Sequence, residues 1–315
     1  MKKRRLKKNV KFTLIAIVVL IILIIIGVNY IKYINSYPYK LKKIGYSKEE
    51  ISYLVKHDND TIDNLLKIEY NEITIKLMQE KYFIFKNLND YLDYYKNNKN
   101  DDLSHIVSMV NVKANHEYYD EDIIKPTNLD DGNLMLLNKF HYLSEDYNPD
   151  DLVKISNMYA YDGNSIKEEV YTAYKKMWNA AKKEDLTLIV TSSYRSYETQ
   201  DNLWNSRANK YGDDEADKET ARAGFSEHQT GLALDIVTYN SVLNDFEETD
   251  EFKWLQKNAY KYGFILRYPK DKEDITGYSY ESWHYRYVGV DIAKEIYEEN
   301  ITYDEYYAYY LDKQN

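Results

Sequence analysis

The feature that most constrains this chain is an uninterrupted apolar run near its beginning, FTLIAIVVLIILIIIGV, which spans Phe12 to Val28. Thr13 and Gly27 are the least apolar residues in it. Together with the residues up to Ile31, the run reaches the roughly 20 residues that a helix needs to cross a hydrocarbon core about 30 Å thick. The sequence therefore predicts a transmembrane helix over residues 12–31.

The charges that precede the run predict its orientation. Residues 1–11 contain seven Lys and Arg side chains and no acid, and the positive-inside rule places such a segment in the cytoplasm. A cleaved signal peptide is the alternative, but its apolar stretch is shorter and a small-residue cleavage site follows it. Here residues 29–34 have the sequence NYIKYI, so we expect a retained anchor and an exported remainder.

The composition limits the chemistry that the exported part can perform. Cysteine is absent, which excludes disulfides, thiolate metal ligands and a cysteine nucleophile. A metal site must therefore use nitrogen and oxygen ligands, and the chain has six histidines. The net charge is −10 even though the first residues are strongly basic. A body this acidic is unsuited to nucleic acid, whose phosphates require a basic surface, so we expect no nucleic-acid partner.

The exported part changes character near residue 128. Residues 32–127 are polar and mostly helical in pattern, with a capping box at Ser47 and no catalytic grouping, and we interpret them as a helical stalk or accessory region. Residues 128–315 show a mixed α and β pattern. There, a second capping box at Ser165 predicts a long helix reaching Lys183. Alternation over residues 186–191 predicts a strand, and residues 232–238 and 284–290 are also predicted to be strands.

The polar residues that could carry out chemistry are concentrated in two short segments of residues 128–315. In the first, His228 lies in a turn that Gly231 closes, and Asp235 follows on the small-residue face of a strand. A carboxylate on a mostly apolar strand is costly unless a positive group meets it. In the second, Glu281 lies three residues before His284, which begins a strand.

These four residues can complete a hydrolytic zinc centre. Such a centre needs three protein ligands, an open fourth position for water and an unligated base that takes the proton of the water. His228, Asp235 and His284 can supply the ligands, and Glu281 can supply the base. Other interpretations stay open at this point, because an isolated histidine is more often a surface or core residue, Asp235 could cap a turn and Glu281 could pair with Arg286.

The complete motif resembles that of the VanY-like D-alanyl-D-alanine carboxypeptidases, a family of D,D- and L,D-carboxypeptidases that includes phage endolysin peptidases. The matching residues are Ser226-x-His228-x-x-Gly231-x-Ala233-x-Asp235 and Glu281-x-x-His284, with Ser193-Tyr194-Arg195-Ser196-x-x-x-Gln200 upstream and a strand from Trp283 to Gly289. The resemblance covers roughly residues 130–300. Ala223 precedes Gly224 where the family often has proline, a difference that affects loop stiffness.

The resemblance implies roles for five of these residues. His228, Asp235 and His284 are similar to the family's Zn²⁺ ligands, and Glu281 is similar to its general base. Arg195 resembles the arginine that polarises the scissile carbonyl or holds the carboxylate of the substrate. A planar guanidinium suits either task, because it can bind two oxygens at once.

Three further residues are expected at the substrate. Gln200 and Ser226 resemble hydrogen-bond partners of the terminal carboxylate. Trp283 either forms a wall of the pocket or packs in the core. The fold that the resemblance implies is a small α+β domain of the Hedgehog and D,D-peptidase type, with an antiparallel sheet and flanking helices.

The function that the resemblance implies is zinc-dependent removal of the C-terminal D-alanine from peptidoglycan stem peptides. The enzyme is then a single-pass protein of the bacterial cell membrane, with a stalk that holds the active site toward the wall. An endopeptidase that cuts within the stem, and a non-catalytic peptidoglycan-binding protein on the same scaffold, are the alternatives. The sequence leaves open the choice between D,D and L,D bonds, the choice between wall maturation and glycopeptide resistance, and the oligomeric state.

Overall fold

A computed structural model describes residues 2–239 and 243–312, with side chains from Val10 onward except that of Asn244. This description does not include Met1 or residues 313–315, which are the two ends of the predicted domains. It also does not include most side chains of the predicted basic segment. The chain forms two compact units, the N-terminal unit up to Leu88 and the C-terminal unit from Asn89. Residues 89–127 belong to the second unit, so this division does not coincide with the predicted boundary at residue 128.

The N-terminal unit is helical. Its helices are α1 (Lys2–Asn35), α2 (Tyr37–Ile44), α3 (Lys48–Leu54), α4 (Asn59–Leu65) and α5 (Thr74–Leu77). Within α1, Val10–Asn35 is the one helical stretch of the described chain that is long and apolar enough to cross a membrane, and it is not buried by other residues. The predicted capping box of α3 is confirmed, because Ser47 accepts a hydrogen bond from the Glu50 backbone N–H and Glu50 reaches back to that of Ser47.

The C-terminal unit mixes helices and strands. Its helices are α6 (Leu88–Asn97), which belongs to this unit from its second residue onward, α7 (Leu103–Asn111), α8 (Glu168–Lys182), α9 (Tyr197–Tyr211), α10 (Asp213–Glu219), α11 (Asp250–Asn258), α12 (Glu273–Thr276), α13 (Val290–Glu299) and α14 (Tyr303–Tyr306). Its strands are β1 (Lys125–Pro126), β2 (His141–Tyr142), β3 (Leu152–Lys154), β4 (Ser165–Lys167), β5 (Ile189–Ser192), β6 (Ala233–Val237), β7 (Phe264–Leu266) and β8 (His284–Tyr287).

A four-stranded antiparallel sheet in the order β5-β6-β8-β7 organises this unit. Leu234 and Ile236 of β6 are fully buried in the main core cluster, together with apolar residues of α8 and α11. Because successive side chains of a strand point to opposite faces, Asp235 lies on the face of β6 opposite to Leu234 and Ile236. The predicted α+β fold with a small antiparallel sheet and flanking helices is confirmed.

One element prediction is wrong. Ser165 does not begin a helix, because Ser165–Lys167 forms β4 and pairs with β3, while the backbone N–H of Ser165 donates to Ser193 Oγ at 3.0 Å. Helix α8 begins at Glu168, without a side-chain cap. Glu168 and Glu169 form its first turn, where negative charge is favourable at the positive end of the helix dipole. Strand pairing thus overrides a local capping pattern.

Candidate active site

His228 is held by the turn that the sequence predicts. A 3-10 helix over Glu227–Thr230 begins where Ser226 Oγ accepts from the His228 backbone N–H at 3.4 Å. Gly231 ends it with φ +68°, a left-handed conformation that glycine adopts without strain. His228 Nδ1 lies 2.6 Å from the Ser193 carbonyl oxygen, so it carries the proton and donates it. The lone pair of His228 Nε2 therefore remains available to a ligand.

Asp235 and His284 lie directly opposite each other on the paired strands β6 and β8. Asp235 Oδ1 lies 3.1 Å from His284 Nδ1, and Asp235 Oδ2 lies 3.4 Å from His228 Nε2. Ligand atoms of the three residues all lie within 4.8 Å of one another, and all three residues are buried. Donors bound about 2.0–2.1 Å from a tetrahedral ion lie roughly 3.3 Å apart, so this set fits zinc.

The electrostatics of the three residues suit a cation. Burial disfavours the charged form of Asp235, but the two neighbouring histidines hold its pKa well below the usual range. Burial lowers the pKa of His228, which favours the neutral, ligating form. Burial also opposes the charge of His284, yet its bonds to Asp235 and Glu227 raise its pKa to about 9. Metal binding at His284 must therefore release a proton.

Glu281 lies beside the three candidate ligands. Its Oε2 is 3.6 Å from His284 Nδ1, and the backbone of the turn is closed by a hydrogen bond from His284 N to Glu281 O at 3.4 Å. Burial raises the pKa of Glu281 to about 8. A carboxyl group with a pKa near neutrality is suited to accept and return a proton. The alternative pairing with Arg286 does not occur, because Arg286 binds Glu227 at 2.8 Å.

Arg195 is fixed next to the ligands by its neighbours. Its backbone N–H donates to the His228 carbonyl at 3.2 Å. Its guanidinium donates to Ser192 Oγ at 2.9 Å and to Gln200 Oε1 at 2.6 Å. The amide of Gln200 in turn donates to the Ala221 carbonyl at 2.6 Å. Both polar atoms of the Gln200 side chain are therefore engaged within the protein.

A cleft of about 1050 Å³ brings all the predicted site residues together. Its lining includes the ligand candidates, Glu281 and Arg195, and also Gln200, Ser226 and Trp283. Trp283 is partly buried and packs against the main core cluster as well. The cleft continues along α9, where Arg207 and Tyr211 contribute to its walls. The structure thus gathers the predicted residues at one point of the surface, with room for a peptide beyond them.

Sequence reasoning missed a buried ion network beneath the site. Glu227 Oε1 accepts from Arg267 Nε at 2.7 Å and from Arg286 Nη1 at 2.8 Å, and Arg267 Nη1 donates to Asp304 at 2.6 Å. Burial disfavours ionisation of Glu227, but the two arginines hold its pKa well below the usual range. The only local signal was the position of Glu227 between two residues of the motif.

Comparison with known proteins identifies relatives of the C-terminal unit. The family model described as VanY, D-alanyl-D-alanine carboxypeptidase, matches residues 163–290. A putative carboxypeptidase, YodJ, from Bacillus subtilis is 43% identical over 194 residues, which are 59% of this chain and 70% of YodJ. A D-alanyl-D-alanine carboxypeptidase from Enterococcus faecium is 34% identical over 192 residues, which are 58% of this chain and 60% of that enzyme.

Solved structures give the same relationship. The LdcB LD-carboxypeptidase, whose structure addresses peptidoglycan recognition, is 40% identical with a TM-score of 0.57. The match covers 61% of this chain and 94% of LdcB. The vancomycin-resistance D,D-dipeptidase VanXYg, in complex with a D-Ala-D-Ala phosphinate analogue, is 31% identical with a TM-score of 0.51, over 56% of this chain and 70% of that one.

Proposed function

Because the chain belongs to the VanY family of D-alanyl-D-alanine carboxypeptidases, we propose that it removes the C-terminal D-alanine from peptidoglycan stem peptides. The predicted family is confirmed, and the chain is a zinc carboxypeptidase. The observation that carries the proposal is the convergence of His228, Asp235 and His284, at spacings suited to a tetrahedral ion, with Glu281 beside them.

The residues of the cleft divide the work of hydrolysis. His228 Nε2, His284 Nδ1 and an oxygen of Asp235 would hold Zn²⁺, which would supply Lewis-acid chemistry toward a water molecule and a carbonyl group. Glu281 takes the proton of the attacking water and returns it to the leaving amine. Arg195 donates hydrogen bonds to the negative charge that develops on the scissile carbonyl oxygen. Its bonds to Ser192 and Gln200 hold the guanidinium ready for that task.

The relatives differ in the bond that they cut, since LdcB is an LD-carboxypeptidase and the enterococcal relative acts on D-alanyl-D-alanine. The endopeptidase function is the second candidate within enzymes. The cleft favours it in one respect, because the cleft continues along α9 as far as Arg207 and Tyr211. A non-catalytic binding protein is disfavoured, since the ligand set, the base and Arg195 are all present.

The N-terminal helix gives the enzyme its proposed location. Val10–Asn35 matches the thickness of a bilayer, and the basic residues before it favour the cytoplasmic side. The C-terminal unit then lies outside the cytoplasm of a bacterial cell, where peptidoglycan is found. In this proposal the chain is a single-pass membrane enzyme whose C-terminal unit lies on the same side of the membrane as its stem-peptide substrate.

One experiment tests the activity. The full-length, zinc-loaded protein in detergent is incubated with muropeptide pentapeptides and tetrapeptides, and the products are identified by mass. Loss of one alanine from the pentapeptide alone shows D,D activity, and loss from the tetrapeptide shows L,D activity. Release of a dipeptide or a larger fragment supports the endopeptidase, and no release at all overturns the enzymatic proposal.

Two variants control this experiment. Glu281→Gln removes the base but keeps the shape of the side chain, so we expect zinc to remain bound while turnover is lost. Glu145→Gln changes an exposed glutamate outside the cleft and should retain full activity. Near-normal hydrolysis by Glu281→Gln contradicts the assignment of the base.

A further inference from the structure

Two buried polar atoms face each other behind the ligand set. His284 Nε2 and Glu227 Oε2 lie 3.5 Å apart, and neither has a hydrogen-bond partner elsewhere among the described residues. Both residues are almost completely buried. An unpaired buried polar atom is costly, whereas a charge-assisted bond between the two atoms satisfies both. Each atom is therefore the natural partner of the other.

Glu227 cannot turn away from His284, because its other oxygen is held firmly. Glu227 Oε1 accepts from Arg267 and Arg286, two arginines with no solvent exposure. Arg286 also donates to the carbonyls of Asn133 and Met135 at 2.9 and 2.8 Å. These bonds fix the plane of the carboxylate, so that its second oxygen points at the imidazole.

Asp304 completes the balance of charge in this network. It accepts from Arg267 at 2.6 and 3.3 Å and from the side-chain amide of Asn138 at 2.9 Å. The two arginines therefore meet two carboxylates, and a buried set of this kind is stable only when every charge is paired. Within the described part of the chain, His284 pairs with the carboxylates of Glu227, Asp235 and Glu281 and not with that of Asp304, which distinguishes Asp304 from Glu227.

We propose that Glu227 is a positioning residue that holds the proton on His284 Nε2 and thereby presents His284 Nδ1 to the zinc ion. This inference rests on the proposed function, since it assumes that the ligand set binds zinc. Ligating histidines commonly donate their second N–H to a carboxylate or a carbonyl, which fixes the tautomer and the orientation of the ring. His228 follows the same rule with the roles of its two nitrogens exchanged, because its Nδ1 donates to Ser193 and its Nε2 lies on the side of Asp235.

The rival explanation is that Glu227 only neutralises the two arginines. Glu227→Gln and Asp304→Asn separate these explanations, because each removes one negative charge from the same network and each residue binds Arg267. In Glu227→Gln, the amide oxygen keeps the arginines while the amide NH₂ faces His284 Nε2, so that two donors oppose each other. Only this variant disturbs the imidazole.

Zinc affinity, measured by competition with a chelator on the full-length protein in detergent, is the readout. We expect Glu227→Gln to bind zinc about 10- to 100-fold more weakly than the unsubstituted protein. Asp304→Asn should lose thermal stability but retain the zinc affinity. Equal weakening in both variants, or none in Glu227→Gln, overturns the positioning role. The hydrolysis of muropeptides by the unsubstituted protein tests the proposed function separately.

A second measurement needs no variant in the network and serves if Glu227→Gln does not fold. The zinc-loaded protein is labelled with ¹⁵N-histidine, and its six histidines are assigned by single substitutions. We expect His284 to carry a slowly exchanging proton on Nε2 with its Nδ1 bound to the metal, and His228 to show the opposite arrangement. Zinc on His284 Nε2 overturns the proposal.

Discussion

Gln200 accepts a hydrogen bond from the guanidinium of Arg195 at 2.6 Å and is itself anchored to the Ala221 carbonyl at the same distance. The side chain of Gln200 is almost fully buried, although it reaches the wall of the cleft. With both polar atoms engaged, we propose that Gln200 affects catalysis through Arg195. The prediction that Gln200 binds the terminal carboxylate would use the second N–H of its amide, because the Ala221 carbonyl accepts from only one of the two.

Replacing Gln200 tests this relationship. Gln200→Leu frees one side of the guanidinium, and we expect kcat to fall by up to about 100-fold, because a small misplacement of a positioned group has effects of this size. Zinc content should not change. Asn202→Leu, on the exposed side of the same helix, is the matched control and should retain activity. A rise in KM at constant kcat indicates instead that Gln200 binds the substrate.

The shape of the Arg195 side chain should matter as much as its charge. Arg195→Lys keeps a cation but loses the planar fork that bonds Ser192 and Gln200 at the wall of the cleft. We expect kcat to fall by about 10²- to 10³-fold, as on removal of a donor that stabilises an oxyanion. Steady-state kinetics with a pentapeptide checks this. A lysine variant with full activity contradicts the role of Arg195 in the transition state.

Much of the site was predictable because its signals are local. His228 lies in a turn with Gly231, and Asp235 follows on a strand whose other residues are apolar. The pairing that places Asp235 opposite His284 was not predictable from spacing, since register depends on the whole sheet.

The ion network beneath the site was not predictable for a related reason. Glu227, Arg267 and Asp304 are far apart in sequence, and nothing local marks them as partners. The helix start predicted at Ser165 is the opposite error. The local capping pattern predicted a helix there, but the residues pair as strands β3 and β4. Tertiary contacts decided both cases.

Removal of the metal should destabilise the protein. Without a cation, the ionised Asp235 and two histidines share a buried space with Glu281. A ligand that binds only the native state stabilises it by mass action, about 4.1 kcal/mol at roughly 1,000 times its dissociation constant. We expect a chelator to lower Tm and added zinc to restore it, while Tm of His228→Ala should respond to neither. A Tm that is indifferent to zinc in the unsubstituted protein contradicts the metal site.

The anchor makes a prediction about fractionation. Because Val10–Asn35 is long enough to span a bilayer, the full-length protein should remain in the membrane pellet after an alkaline wash. A variant that lacks residues 2–35 should be released. Protease added to intact protoplasts should digest the C-terminal unit if that unit lies outside. If the C-terminal unit is protected from the protease, the proposed topology is wrong. If the alkaline wash releases the full-length protein, Val10–Asn35 does not span the membrane.

Lys139 is a buried cation that the sequence did not mark. Only 1% of the residue is exposed, and its ammonium lies 4.1 Å from the ring centre of Tyr278 and 5.0 Å from that of Tyr119. It also donates to the backbone carbonyl of Asp217. Burial lowers the pKa of Lys139 to about 7, although the charge of Asp217 opposes this shift and that of Arg222 adds to it.

This shift predicts how stability depends on pH. Below pH 7 Lys139 is protonated in both states, whereas between pH 7 and its unfolded pKa of about 10.4 only the unfolded chain holds the proton. Stability must therefore rise with pH in that window, by at most about 1.4 kcal/mol per pH unit from this group. Lys139→Met fills the same space without a proton. The free energies of unfolding of the unsubstituted protein and of Lys139→Met are measured with urea at pH 7, 8 and 9. The value for the unsubstituted protein should increase relative to that for Lys139→Met as the pH rises. Parallel profiles for the two proteins contradict the lowered pKa.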